Sequence, residues 1–345
     1  MRFTGVGVVI IKKPPQEGLK VPASCWQVFA ETRMEEQLSF QGFEPPHLSV
    51  MEDLAGLRRQ ADLGTSGVVC LDSSIGRYPI PHSDGHDWPV RIYTLGRFSL
   101  LHKGQPVSFG RKTPQRALTF LKTLIAMGGR DVSSTSLAAI LWPEADGDAA
   151  QRSFDTTLYR LRKLFGDEQI LIHKNGMLSL DSRLCWVDVW AFDRVLGHIQ
   201  RIRHKDATGR DAYKLEQLSE RMLGLYQDHF LAREEVTFWS VSLRERLRSK
   251  YIHNLLELGK YWEIHGFRDK ALLCYQKGLE VDDLIEVFYQ RLMSCCLETR
   301  RISEGMSVYR RCRQVLSIVL GLQPEPETDS IYRALRNARI HKRFA

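Results

Sequence analysis

The chain has 345 residues, 43% of them hydrophobic and 26% charged, so it is long enough for two or three domains and apolar enough to fill real cores. Its 49 Lys and Arg against 41 Asp and Glu give a net charge of +8, which suits a polyanionic partner. No apolar run approaches the ~20 residues needed to cross a bilayer, so no membrane-spanning helix is expected and the chain reads as cytoplasmic.

Residues 1–89 carry 8 Lys and Arg against 11 Asp and Glu and say least. The apolar stretch from Met1 to Ile11 runs into Lys12-Lys13-Pro14-Pro15 without a cleavage region, so it does not read as a signal peptide. Prolines and glycines punctuate the segment, leaving one helix from about Leu48 to Leu63. His82 and His86, with Asp84 and Asp87, are too few in a Gly/Pro-rich loop for a metal site and read as linker. The segment is taken as poorly defined, with no phosphate-binding Gly-rich loop of the Gly-x-x-x-x-Gly-Lys-Ser/Thr kind.

Residues 90–187 carry 14 Lys and Arg against 8 Asp and Glu, the largest positive excess per residue. A strand is expected over Val90–Leu100, and a helix over Pro114–Met127 that stops at Gly128-Gly129. Ser133 or Ser134 can cap a second helix that ends at Trp142-Pro143, because proline cannot continue it. A third helix runs from Asp148 to Phe165. Phe154, Leu158, Leu161 and Phe165 fall on one stripe of it facing a core, while Arg152, Thr156, Tyr159, Arg160 and Lys163 fall opposite on a face that reads as free of carboxylates. Ile170–Lys174 and Met177–Leu180 flank Asn175-Gly176, a strong hairpin signal. Three helices and a hairpin make a winged helix.

Residues 188–345 hold 27 Lys and Arg against 22 Asp and Glu. Leu255, Leu258, Gly259 and Trp262, then Ala271, Tyr275 and Gly278, fit the tetratricopeptide template, in which small residues let helices approach and aromatics fill the gaps. A shift of 34 residues gives the degraded echo Tyr289, Leu292, Met293, Cys296, Gly305, Tyr309 and Cys312. The two halves have separate apolar patterns and are expected to fold separately. The seven cysteines contain no Cys-x-x-Cys pair and read as small apolar groups.

The run from Arg152 to Lys163 resembles the recognition helix of OmpR/PhoB-type output domains. The strand at Val90–Leu100 and the turn Leu141-Trp-Pro-Glu-Ala-Asp146 resemble SARP-type bacterial activators, which place that winged helix before a bacterial transcriptional activator domain. The resemblance extends over about residues 90 to 336 and includes Trp186–Phe192, Tyr226–Leu231, Trp239–Arg246 and Leu320–Thr328. The fold class expected is therefore mainly α with a small β component. Its parts are a winged helix-turn-helix at 90–187, an all-α tetratricopeptide-like domain at 188–336 and a basic tail at 337–345.

The function read from these features is sequence-specific binding of double-stranded promoter DNA by an activator. On the resemblance, the third helix enters the major groove. Arg160 is the first choice for a base edge, because arginine can bond bidentately to guanine. Thr156, Thr157 and Tyr159 would add polar or methyl contacts, and Thr157, which lies nearer the core, is included on the resemblance. Arg152, Arg162 and Lys163 would hold phosphates, with an ion pair to Asp155 the alternative for Arg162. At the hairpin, Lys174 against a phosphate replaces the arginine usual in such wings. The resemblance further implies contact with RNA polymerase and self-association on direct repeats. No cofactor, metal or catalytic constellation stands out, so the chain is not expected to be an enzyme. The alternative is a protein-interaction module whose winged helix no longer reads DNA.

Overall fold

A computed structural model describes residues 88–107, 114–205 and 209–344. The helix expected at 48–63, the His82–Asp87 segment, Cys25 and Cys70 lie outside the described residues.

β1 (Val90–Tyr93), β2 (Ser99–His102) and β3 (Gln105–Pro106) form an antiparallel meander, and β7 (Cys185–Val187) adds to β1 on its other side, giving the order β3-β2-β1-β7. β7 runs parallel to β1, with Val90 opposite Cys185 and Ile92 opposite Val187. Parallel neighbours need a long crossover. Here the crossover is the whole helical unit between them.

That unit contains α1 (Gln115–Ala126), β4 (Val132–Ser133), α2 (Ser134–Leu141), α3 (Gly147–Phe165), β5 (Leu171–Lys174) and β6 (Met177–Leu180). Ser133 Oγ accepts from the Ser136 amide at 3.3 Å and starts α2, and Asp146 Oδ1 accepts from the Ala149 amide at 2.7 Å and starts α3. Asn175 and Gly176 both hold positive φ, 51° and 72°, the geometry of a two-residue turn that matches strand twist. β4 then pairs with β6, closing a sheet of order β4-β6-β5. Each element expected from sequence between 114 and 180 is present within about two residues.

The remainder is helical: α4 (Asp188–Lys205), α5 (Ala212–Leu225), α6 (Phe238–Ile264), α7 (Arg268–Val281), α8 (Glu286–Glu298), α9 (Ile302–Leu320) and α10 (Pro326–Phe344). Apart from α5 and α6, which residues 226–237 separate, short connections make consecutive helices pack as hairpins. Small residues set their spacing. A Cβ on Gly259 would lie 2.2 Å from Tyr275 Cε1, one on Gly278 2.4 Å from Phe288 Cζ, and one on Gly305 2.9 Å from Leu335 Cδ2. All seven positions of the degraded echo are buried, with Tyr289, Met293 and Cys312 fully enclosed. Cys185, Cys274, Cys295, Cys296 and Cys312 are free and buried, and burial pushes the thiols of Cys274, Cys295 and Cys312 up to about 12.

The two halves do not pack separately. One apolar core runs from Val90 through α1 and α3 to Leu316 without a break. Just past β7, the buried carboxylate of Asp188 accepts from the Leu95 amide at 2.7 Å, Thr94 Oγ1 at 2.6 Å, the Val189 amide at 2.8 Å and the Thr94 amide. The Leu231 amide donates to Thr94 O at 2.8 Å, and the Gly96 amide to His229 O at 3.1 Å. Trp190 Nε1 donates to Gly128 O at 3.0 Å, while Lys122 pairs with Glu234. The described residues from 88 to 344 thus belong to one compact unit that spans the expected boundary near residue 187.

Candidate nucleic-acid interface

α3 sits where its apolar stripe dictates. Phe154, Leu158, Leu161 and Phe165 are at most 4% exposed, and the Phe154 ring lies 5.2 Å from Phe120 and 5.4 Å from His173. Burying four large side chains on one stripe fixes the rotation of the helix, at roughly 1.5–3 kcal/mol each. The opposite face is therefore held toward solvent.

Arg152, Thr156, Tyr159, Arg160 and Lys163 all lie exposed there, Tyr159 by 62%. At about 100° per residue, Tyr159 and Lys163 fall within ~20° of Arg152, Thr156 within ~40° and Arg160 within ~80°. The stretch from Arg152 to Lys163 is about 16 Å long at 1.5 Å per residue. Among the described residues none of its three cations joins an ion pair, which leaves them available to phosphates.

Three expectations change. Thr157 is 5% exposed and its hydroxyl donates to Ser153 O at 2.7 Å, so it belongs to the packed side and cannot contact a ligand on the outer face. Arg162 is half-buried, and its Nη2 donates to Leu171 O at 2.9 Å. It braces α3 against β5, with its Nε turned into the protein interior and no ion pair to Asp155. The outer face is also not wholly free of carboxylates. Asp148 and Asp155 are exposed, about 40–60° to the side of Arg152 away from Arg160, with Asp155 accepting from Gln151 Nε2 at 3.2 Å. Acid at the first turn favours the helix dipole. It also biases the cationic surface toward the Arg160 side and the later turns.

Lys174 is exposed at the end of β5, beside the exposed Asn175-Gly176 turn, and the Ser134 amide donates to Gly176 O at 2.8 Å. The start of α2 therefore holds the hairpin tip in place. Met177, 45% exposed, is the apolar side chain of that tip. Sequence reading missed the bracing by Arg162 and Asp188 because their partners are mostly backbone carbonyls and amides, which leave no residue-type signal, and those of Asp188 lie mostly more than ninety residues earlier. Among the described residues no group of three or more His, Cys, Asp or Glu is placed to hold a metal, and no helix is long and apolar enough to cross a membrane.

A search of curated proteins found no match. Among solved structures, one of similar fold is Mycobacterium tuberculosis EmbR in complex with low affinity phosphopeptide. The likeness has a TM-score of 0.55 and 19% identity, covering 74% of this chain and 69% of that one, and at that identity it concerns the fold alone. Residues 187–336, running from the end of β7 into α10, match the family model of the bacterial transcriptional activator domain.

Proposed function

We propose that the chain is a sequence-specific transcriptional activator of SARP kind. Residues 90–187 act as an OmpR/PhoB-type winged helix on promoter DNA and residues 188–336 as a tetratricopeptide-like activator domain; the basic residues expected as a tail from 337 on continue α10 to Phe344. The carrying observation is the exposed, unpaired face of α3. Arg160 reads a base edge, Thr156 and Tyr159 flank it, and Arg152, Lys163 and the hairpin's Lys174 hold phosphates. Thr157 and Arg162 support α3 from behind.

The match of residues 187–336 to an activator domain supports the second half of the reading, in which the helical array engages RNA polymerase and a second copy on direct repeats. Because Asp188, Trp190 and Glu234 tie that array to the DNA-reading unit, the two work as one rigid lever. The protein carries out no catalysis in this reading and acts in the cytoplasm.

A genome-wide pull-down with the purified chain, followed by titration of the enriched fragments, tests the proposal. Salt-dependent binding with a clear preference among fragments is expected. Binding that is absent, or equal for every fragment, would favour a protein-interaction module.

A further inference from the structure

The positive charge of the helical half is not spread over it. Residues 188–304 hold 19 Lys and Arg against 19 Asp and Glu, whereas residues 305–345 hold 8 against 3. The whole excess of that half lies in its last 41 residues.

Ion pairing follows the same division. Through the balanced part, cations meet carboxylates: Lys250 with Asp193, Lys270 with Glu216, Arg248 with Asp282, Arg203 with Glu257, Arg268 with Glu298 and Arg291 with Glu263. Among the described residues the last pair is Arg301 with Glu304.

α10 separates its charges along its length. Glu327 and Asp329 lie in its first turn, just after Glu325, where the helix dipole favours acid. Tyr309 Oη donates to Asp329 at 2.7 Å, and Glu286 accepts from the Glu325 amide at 2.6 Å and from Thr328 Oγ1 at 2.5 Å, which pins that end. Beyond it come Arg333, Arg336 and Arg339 with no carboxylate, and Lys342 and Arg343 continue the run in sequence. Arg333 Nε reaches only the carbonyl of Asp329, at 3.3 Å, and Arg339 Nη1 only the sulfur of Met306, at 3.7 Å.

The apolar side of α10 is already used. Leu335 is fully buried over Gly305, and Tyr332 stacks on Tyr309 at 3.9 Å. A helix lying in a membrane surface needs that side free. The outward residues Ser330, Arg333, Arg336 and Asn337 are exposed and polar, so they lack the apolar anchors that centre a protein interface. An outer helix face exposed to water needs only to be polar, and a mixed-sign face meets that need. A single-sign one goes beyond it.

We propose that the outward face of α10, through Arg333 and Arg336, is a second DNA contact that grips the phosphate backbone without reading sequence. This rests on the DNA-binding reading of α3.

The test uses the full chain and a ~40-base-pair duplex of random sequence, with affinity measured by fluorescence anisotropy over a series of salt concentrations. The double variant Arg333→Gln/Arg336→Gln should reduce the slope of log affinity against log salt by about 1–2 and weaken binding near 0.1 M salt ~10-fold or more, since each phosphate contact contributes about 0.9 to the slope. Arg333→Lys/Arg336→Lys, which keeps the charges, should restore most of it. Arg152→Ala/Lys163→Ala serves as the comparison on α3. An unchanged slope in the α10 glutamine variant beside a reduced one in the α3 variant overturns this inference alone. No DNA binding by any form overturns the α3 reading and this one together. The same proteins are titrated with poly-glutamate: binding to it that the glutamine variant loses while keeping DNA affinity overturns the assignment in favour of an acidic protein.

Discussion

Replacing Gly278 by alanine adds one methyl group, and the structure states what that group meets. The new Cβ would stand 2.4–2.6 Å from three ring atoms of Phe288, about 1 Å inside ordinary carbon contact. Phe288 is fully buried, with its ring centre 6.3 Å from that of Tyr275, so it has no free direction in which to retreat. Overpacking of this kind costs about 1–3 kcal/mol. Against it, alanine inside a helix is worth about 1 kcal/mol over glycine. Gly197 supplies the control, because it sits inside α4 with nothing within 4 Å of its added Cβ. The propensity gain is common to both substitutions, so the difference between Gly197→Ala and Gly278→Ala isolates the packing cost at about 1–3 kcal/mol. Urea unfolding of the full chain, with slopes compared to confirm a shared unfolded state, provides the measurement. Gly197→Ala should unfold at higher urea than wild type and Gly278→Ala at lower. Equal midpoints for the two variants would refute the close approach of α7 and α8.

On DNA, Arg160→Ala should cost ~1–3 kcal/mol of specific affinity and relax preference at one base position, read by titrating a pulled-down fragment and its single-base variants; undiminished selectivity in a folded variant would count against base reading. Lys163→Ala should weaken specific and random duplexes alike and lower the salt slope by ~0.9, whereas Arg162→Gln should leave the slope unchanged and cost about 1–2 kcal/mol of stability through the lost bond to Leu171 O. A reduced slope for Arg162→Gln would return that residue to the DNA surface. Burial raises the Asp188 carboxyl to about 6, partly offset by the hydrogen bonds from Leu95, Thr94 and Val189. Its folded pKa exceeds the unfolded value near 3.8, so the stability it contributes is fully present below about pH 4 and is lost as pH rises through 6. Wild type should therefore gain up to about 3 kcal/mol on Asp188→Asn between pH 7 and pH 4 in paired urea titrations, and a pH-independent gap would show that the carboxyl titrates normally. A fragment of residues 88–187 should unfold at lower denaturant than the full chain and with a broader transition, since it exposes the core face that β1, β7 and α1 share with α4 and α6; matching midpoints would mean that the shared core contributes nothing.

Local pattern determined the elements between 114 and 180 and most of the exposed face, whereas the single strand expected over Val90–Leu100 folds back on itself as β1 and β2. The four-residue stripe Phe154, Leu158, Leu161 and Phe165 fixed the rotation of α3, because helical periodicity converts spacing directly into direction. Asn175-Gly176 specified the hairpin turn, since few residues tolerate two successive positive φ values. Gly259 and Gly278 marked close helix approaches for a similarly local reason, namely that only the absence of a Cβ permits them. What tertiary structure alone decided involves side chains whose partners are mostly backbone groups, near or far in sequence. Thr157 and Arg162 lie at the margins of the α3 wheel, where a shift of ~20–40° separates ligand from scaffold, and only the positions of Ser153 O and Leu171 O resolve it. The joint at Asp188 is invisible to pattern because a carboxylate after a strand looks like an ordinary helix start. Its four donors come mostly from Thr94 and Leu95, more than ninety residues earlier, and backbone amides are the same in every sequence.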